Sequence, residues 1–175
     1  GGQTPKGSIE LSGSKNSATR LLAATMLTDS PVVLTGFPTE LVDAVHKTRF
    51  MNLAGASVDL DHKTHTATVC CNNLKEANFE MGDNVFPIRT TYLLVAGQIR
   101  KSGRARIPYP GGCKIGSRGY DLHVMVWKAL GCVVNEEPEY IEVLGDGFKA
   151  GKINFPISTV GGTENALICA ATAYG

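Results

Sequence analysis

The sequence predicts a mixed α/β domain built from a repeated helix–strand–helix–strand–strand unit, and three observations carry that prediction. Apolar periodicity alternates between helical and strand patterns along the whole chain. The stretch Leu21-Leu22-Ala23-Ala24 recurs 72 positions later as Leu93-Leu94-Val95-Ala96, and Gly55-Ala56-Ser57-Val58 recurs 76 positions later as Gly131-Cys132-Val133-Val134. A 43% hydrophobic content over 175 residues with a net charge of +1 is enough for one buried core. It excludes a disordered or nucleic-acid-coating tail.

Residues 8–12 alternate polar and apolar side chains and are predicted as a short strand ending at Gly13. A helix follows over 16–28 with Ser14 as its cap, and its Ala18, Leu21, Leu22, Ala23, Ala24, Met26 and Leu27 predict burial on nearly all sides. Residues 32–35 form a β-branched strand between turn signals, and Thr39 is placed to cap a second helix that runs to Ala54 and stops at Gly55. Segments 57–60 and 66–70 then pair as a hairpin across 61–64. After an irregular linker at 72–85 the same order returns: helix 89–100, strand 104–107, helix 120–130, a stop at Gly131, and strands 133–136 and 140–144. The spacing grows by four residues in the second copy, the length added by a glycine-rich loop. A third copy begins at Lys152 with a helix through 165–172. A single such unit cannot bury both of its helices, so the copies must share a core, and the third copy reads as truncated. The chain is therefore expected to be a piece of a longer protein.

The glycine-rich loop, Pro110-Gly-Gly-Cys-Lys-Ile-Gly-Ser-Arg-Gly-Tyr-Asp-Leu-His123, is where chemistry concentrates. Its glycines let the backbone approach a ligand, and Lys114 and Arg118 supply positive charge. Cys113 is next to Lys114, with Arg118 further along the same loop, and near a helix start, which favours its thiolate and predicts a lowered pKa. The pattern suits a phosphorylated or carboxylated substrate. The other four cysteines, Cys70, Cys71, Cys132 and Cys169, form no CxxC pair, which predicts free thiols in a reducing compartment. No apolar run reaches the roughly 18 residues that cross a bilayer and the start of the chain has no signal-peptide pattern, so no membrane insertion and a cytoplasmic location are expected. His62, His65, Cys70 and Cys71 offer a metal-like cluster, but adjacent strand residues face opposite sides, so no metal site is predicted. His46 and His123 are read as packing or surface residues.

Four segments in order resemble the enolpyruvyl transferase family in its UDP-N-acetylglucosamine 1-carboxyvinyltransferase branch. They are Ser12-Gly-Ser-Lys-Asn16, Ile88-Arg89, Arg106-Ile-Pro-Tyr-Pro-Gly-Gly-Cys113 and Ser158-Thr-Val-Gly-Gly-Thr-Glu-Asn165. The resemblance implies an inverse α/β barrel domain of βαβαββ repeats, helices inside and sheets outside. Residues 14–175 would form the first of two domains, and residues 1–13 a strand and hinge belonging to the second. It implies transfer of the enolpyruvyl group of phosphoenolpyruvate to the 3-hydroxyl of UDP-N-acetylglucosamine, a cytoplasmic step of peptidoglycan synthesis and cell wall biogenesis, with no cofactor. Cys113 would act as the acid and as the thiol that reacts with fosfomycin. Lys15 and Arg118 would hold phosphoenolpyruvate. Asn16, Arg89, Gly119, Tyr120, Asp121, Leu122, Thr159, Val160 and Gly161 would hold the sugar nucleotide.

The sequence also departs from the family. Asp43-Ala-Val45 replaces Asp-x-Asp, Arg118-Gly-Tyr120 replaces Arg-Pro-Val, Ala54-Gly55 replaces Leu-Gly, and Arg20 stands where the spacing from Lys15 matches the related shikimate enzyme. Two alternatives therefore stay open, a paralogue acting on another uridine nucleotide and a non-catalytic nucleotide-binding or interaction module of the same fold. The general base and further arginines of the family lie in its second domain, so this chain alone is expected to show no turnover.

Overall fold

The computed structural model describes residues 2–76, 88–109 and 119–175. Predicted features that fall on 77–87 or 110–118, including Cys113, Lys114 and Arg118, lie outside the described residues. The elements run α1 (Lys15–Thr25), β1 (Val32–Leu34), α2 (Val42–Leu53), β2 (Ser57–Asp61), β3 (Thr66–Cys70), a 3₁₀ segment (Arg89–Leu94) continuing into α3 (Val95–Ser102), β4 (Arg104–Pro108), α4 (Asp121–Ala129), β5 (Val133–Glu136), β6 (Tyr140–Leu144) and α5 (Val160–Ala170).

The repeat is explicit in the sheets. The first has strand order β1-β3-β2 and the second β4-β6-β5, both antiparallel throughout. In the first hairpin Asp61 pairs with Thr66, and its carboxylate accepts from the Lys63 amide at 2.8 Å, which closes the turn. Each second helix ends at a glycine of positive φ, Gly55 at 86° and Gly131 at 90°, a conformation that costs a side-chain-bearing residue heavily. One face of each sheet carries apolar residues inward, Ala67 and Val69 from β3 and Ile141 and Val143 from β6, all buried. The helices lie between the sheets, with α1 packed against α2, α3, α5 and the 3₁₀ segment. Trp127, Phe50, Phe148, Leu22 and Ile99 fill that interior, each contributing about 1.5–3 kcal/mol through loss of water contact. α3 comes close to the end of α1 at Gly97, where an added Cβ would lie 2.3 Å from the Cβ of the capping Met26. Only glycine lets α3 and α1 pack so closely.

Several local expectations are corrected. Residues 8–12 form no strand, and Ile9 and Leu11 are exposed, because no strand of this chain pairs with them among the described residues. α1 is buried along one stripe rather than all round. Its first turn borders a cavity and Leu21 stays half exposed. Thr39 does not cap α2, which starts three residues later behind Leu41, and the Thr39 hydroxyl is buried without a partner among the described residues. The reason is the tight turn that joins the Leu41 amide to the Pro38 carbonyl. The helix predicted from Arg89 opens as 3₁₀, and the helix predicted at 165–172 begins at Val160 because Thr159 caps it, its hydroxyl accepting from the Gly162 amide at 3.1 Å.

Candidate active-site cleft

Three units of the repeat converge on one cavity of about 440 Å³. The first unit brings the opening turn of α1. Ser14 caps it by accepting from the Ser17 amide at 3.5 Å, and this places Lys15 and Asn16 at the cavity edge. Lys15 Nζ pairs with Asp43 of α2 at 3.1 Å. Both side chains are well exposed, so this pair is worth little to the fold and leaves the lysine available to a ligand. The second unit brings Arg89, exposed at the start of the 3₁₀ segment, and His123 from α4. The third brings Val160, Gly161 and Glu164 from the first turns of α5.

A chain of hydrogen bonds crosses the cavity wall. Arg20 donates from Nε to Glu164 at 2.8 Å and from Nη1 to Asn16 Oδ1 at 3.3 Å. With its oxygen so engaged, the Asn16 amide keeps its NH₂ as the group free to donate. Thr19, next to Arg20, donates to the Lys15 carbonyl at 3.1 Å and so leans along α1. His123 is buried, and burial, with the Arg89 cation nearby, lowers its pKa to about 4. It is therefore neutral at neutral pH. Its ring lies 5.0 Å from that of Tyr92, and its Nδ1 has no partner among the described residues.

Of the predicted site residues, Lys15, Asn16, Arg89, Val160 and Gly161 line this cavity together. Thr159 stands just outside it as the α5 cap. Gly119, Tyr120, Asp121 and Leu122 sit beside the cavity rather than in its lining, at the start of α4. Tyr120 is fixed by its hydroxyl, which donates to Glu136 at 2.7 Å, and by ring contacts to Tyr109 at 5.2 Å and Tyr92 at 6.4 Å. The Glu136 carboxylate pushes the Tyr120 phenol up, beyond the ordinary tyrosine range. The Asp121 carboxylate fills the space over Gly119, where an added Cβ would come 2.1 Å from Oδ2. Cys113 and Arg118 lie outside the described residues. Among the described residues no three His, Cys, Asp or Glu side chains converge as a metal centre, and no helix is long and apolar enough to cross a membrane.

Sequence reasoning missed Glu164 and Thr19, and saw His123 as packing without its place in the cavity wall. The odd arginine at position 20 was the available signal, since a guanidinium on a helix otherwise rich in alanine and leucine needs an acidic partner.

The fold of repeated helix–sheet units is that of the enolpyruvyl transferases. The chain belongs to the EPSP synthase (3-phosphoshikimate 1-carboxyvinyltransferase) family, whose model matches residues 1–175. It is 35% identical over 179 residues to the UDP-N-acetylglucosamine 1-carboxyvinyltransferase of Koribacter versatilis, covering 100% of this chain and 40% of that relative. It is 36% identical over 176 residues to the enzyme of the same name from Acinetobacter baylyi, covering 100% of this chain and 41% of the relative. The chain thus spans about 40% of the length of these curated relatives. The fold matches the enolpyruvyl transferase NikO from Streptomyces tendae with a TM-score of 0.77 at 20% identity, over 100% of this chain and 40% of that one. It also matches the EPSP synthase of Acinetobacter baumannii with a TM-score of 0.72 at 15% identity, over 97% and 39%.

Proposed function

We propose that this chain forms one wall of an active site that transfers the enolpyruvyl group of phosphoenolpyruvate to the 3-hydroxyl of UDP-N-acetylglucosamine, a step of peptidoglycan synthesis. The observation that carries the proposal is the convergence of Lys15, Asn16, Arg89 and the α5 start at Val160 and Gly161 on one cavity from three separate units. The curated relatives' names supply the substrates. Residues 14–175 are taken as the first domain and residues 1–13 as a segment that pairs with the second, which accounts for the exposed alternation of Ile9 and Leu11.

In this reading Lys15 and Arg118 neutralise the phosphate and carboxylate of phosphoenolpyruvate, groups that carry too much charge to enter a cleft unpaired. Asn16 and Arg89 take the sugar nucleotide, and the amides of the α5 start, with Thr159 as cap, face its diphosphate. The acceptor hydroxyl gives up its proton to a base as its oxygen bonds to C2 of phosphoenolpyruvate, while Cys113 delivers a proton to C3, giving a tetrahedral ketal. Loss of the C3 proton to a base then expels phosphate and restores the double bond. The base lies in the further length of the relatives, so the chain alone is proposed to bind without turning over.

A second reading, in which the acceptor is another uridine nucleotide, is favoured by one feature. Gly119 and Tyr120 stand where the family resemblance places a proline and a valine, and the Asp121 carboxylate occupies the space above Gly119. Titration with UDP-N-acetylglucosamine and with other uridine nucleotides separates the two acceptors. For the lineage itself, incubation with fosfomycin and peptide mapping should show one adduct at Cys113, with Cys70, Cys71, Cys132 and Cys169 unmodified. Burial raises the Cys132 thiol to about 11 and holds Cys169 higher still, which keeps both unreactive. An adduct spread over several cysteines, or none, would refute the assignment.

A further inference from the structure

The inner face of α2 carries Ala44, Lys47, Thr48, Phe50 and Met51, so a lysine occupies a position where the helical period calls for an apolar side chain. Lys47 is fully buried. Its natural partner one turn back, Asp43, is turned outward to Lys15. Instead the Lys47 ammonium donates to two main-chain carbonyls, that of Thr19 in α1 and that of Thr90, at 2.8 Å, in the 3₁₀ segment. An ammonium has three N–H donors, and the third has no partner among the described residues. Among the described residues no carboxylate bonds to it, and the Glu164 carboxylate that faces this region is held by Arg20.

A buried cation without a counter-charge works against folding. Burial lowers the Lys47 pKa well below the ordinary lysine range, with Arg20 adding to that and Glu164 opposing it. The two residues whose carbonyls it holds, Thr19 and Thr90, both line the cavity, which places Lys47 one layer behind the wall. Thr19 lies three residues from Asn16, and Thr90 directly follows Arg89.

We propose that Lys47 is a positioning residue of the cleft: it ties the α1 and 3₁₀ walls together through their carbonyls, and an anion held in the cavity supplies the counter-charge that no carboxylate among the described residues provides. The inference rests on the proposed function only in requiring the cavity to take an anion.

The test uses this chain with Lys47→Met, Lys47→Gln and, as a control on the hairpin turn, Lys63→Met. Each is titrated calorimetrically with inorganic pyrophosphate and with UDP-N-acetylglucosamine, and its thermal unfolding is recorded without ligand. Lys47→Met should unfold at or above the wild-type temperature, because a matched apolar side chain replaces an uncompensated charge. Its pyrophosphate Kd should nevertheless rise about tenfold, the scale of one lost charge–charge attraction at an intermediate dielectric. Lys47→Gln keeps a donor for the carbonyls but not the charge, and should lose affinity similarly. Lys63→Met should stay within twofold of wild type. A purely structural lysine would instead lower stability and leave the Kd unchanged. Wild-type affinity in either folded Lys47 variant overturns the proposal, as does failure of the wild-type chain to bind pyrophosphate. Binding of pyrophosphate but not of UDP-N-acetylglucosamine removes the proposed acceptor and leaves the role of Lys47 standing. Should both Lys47 variants unfold, the Nζ resonance of Lys47 in ¹⁵N-lysine-labelled wild type decides: it should move saturably with pyrophosphate, and a fixed resonance contradicts the proposal.

Discussion

The second sheet and the cavity both gather basic side chains, yet their charges are balanced differently. On the sheet, Arg104 and Arg106 share Glu76 and Glu142 at 2.5 to 3.3 Å, two cations against two carboxylates. Arg106 also stacks over the Tyr140 ring at 5.2 Å. In the cavity lining, Lys15, Arg20 and Arg89 meet Asp43 and Glu164, three cations against two carboxylates among the described residues, and Arg89 has no acidic partner among those residues. A balanced surface network satisfies itself. An unbalanced set of cations at the mouth of a cavity is a site that waits for an anion.

The largest expected effect breaks the cavity side of this comparison. Arg89→Ala should weaken UDP-N-acetylglucosamine binding by about 10–100-fold, the value of a lost charge-assisted hydrogen bond. Arg104→Ala, measured by the same calorimetry, should leave binding unchanged.

Comparable in size is the acid response of the cavity wall. The folded His123 value of about 4 lies below the ordinary histidine value, so the unfolded chain takes up the proton first as pH falls. The stability that the neutral ring contributes is complete above about pH 6.5 and is lost progressively between about 6.5 and 4, by up to about 3 kcal/mol. Urea unfolding at pH 7 and at pH 4.5 should show this loss in wild type and a smaller one in His123→Phe. An equal loss in both would assign the acid sensitivity to other groups.

Helix packing behind the cavity gives a third test. Gly97→Ala forces a methyl against Met26 and should cost about 1–3 kcal/mol, read as a lower urea midpoint with an unchanged slope. The smallest effect belongs to the sheet. Glu142→Gln removes the negative charge from the acceptor shared by Arg104 and Arg106, and should cost about 1 kcal/mol or less with no change in ligand affinity.

Much of this architecture is legible in sequence because its signals are local. The hairpins over Ser57–Asp61 and Thr66–Cys70, and over Val133–Glu136 and Tyr140–Leu144, follow from β-branched alternation around turn residues. Gly55 and Gly131 mark helix ends through a conformation that glycine alone takes easily. Helix starts were less legible. Thr39 has the chemistry of a cap, but the turn after Pro38 delays the helix to Val42, and such a turn depends on packing rather than on residue type. The segment at residues 8–12 has a strand pattern that needs a partner to become a strand.

The site divides in the same way. Lys15, Asn16, Arg89 and Gly161 are found by motif because each sits at the start of a helical segment, where short signatures are informative. The pairing of Arg20 with Glu164 joins residues 144 positions apart, and nothing local announces it. Lys47 did leave a trace, a charged residue in register with Ala44, Phe50 and Met51, but only the fold shows which carbonyls receive its protons.

The most direct measurement is a ¹⁵N-amide NMR titration of the chain with UDP-N-acetylglucosamine. Saturable shifts confined to Asn16, Arg89, Gly161 and their neighbours, with Val134 and Glu142 on the sheet unmoved, are what the unbalanced cavity predicts. Shifts that centre on the sheet face, or a spectrum unchanged at millimolar nucleotide, would contradict it.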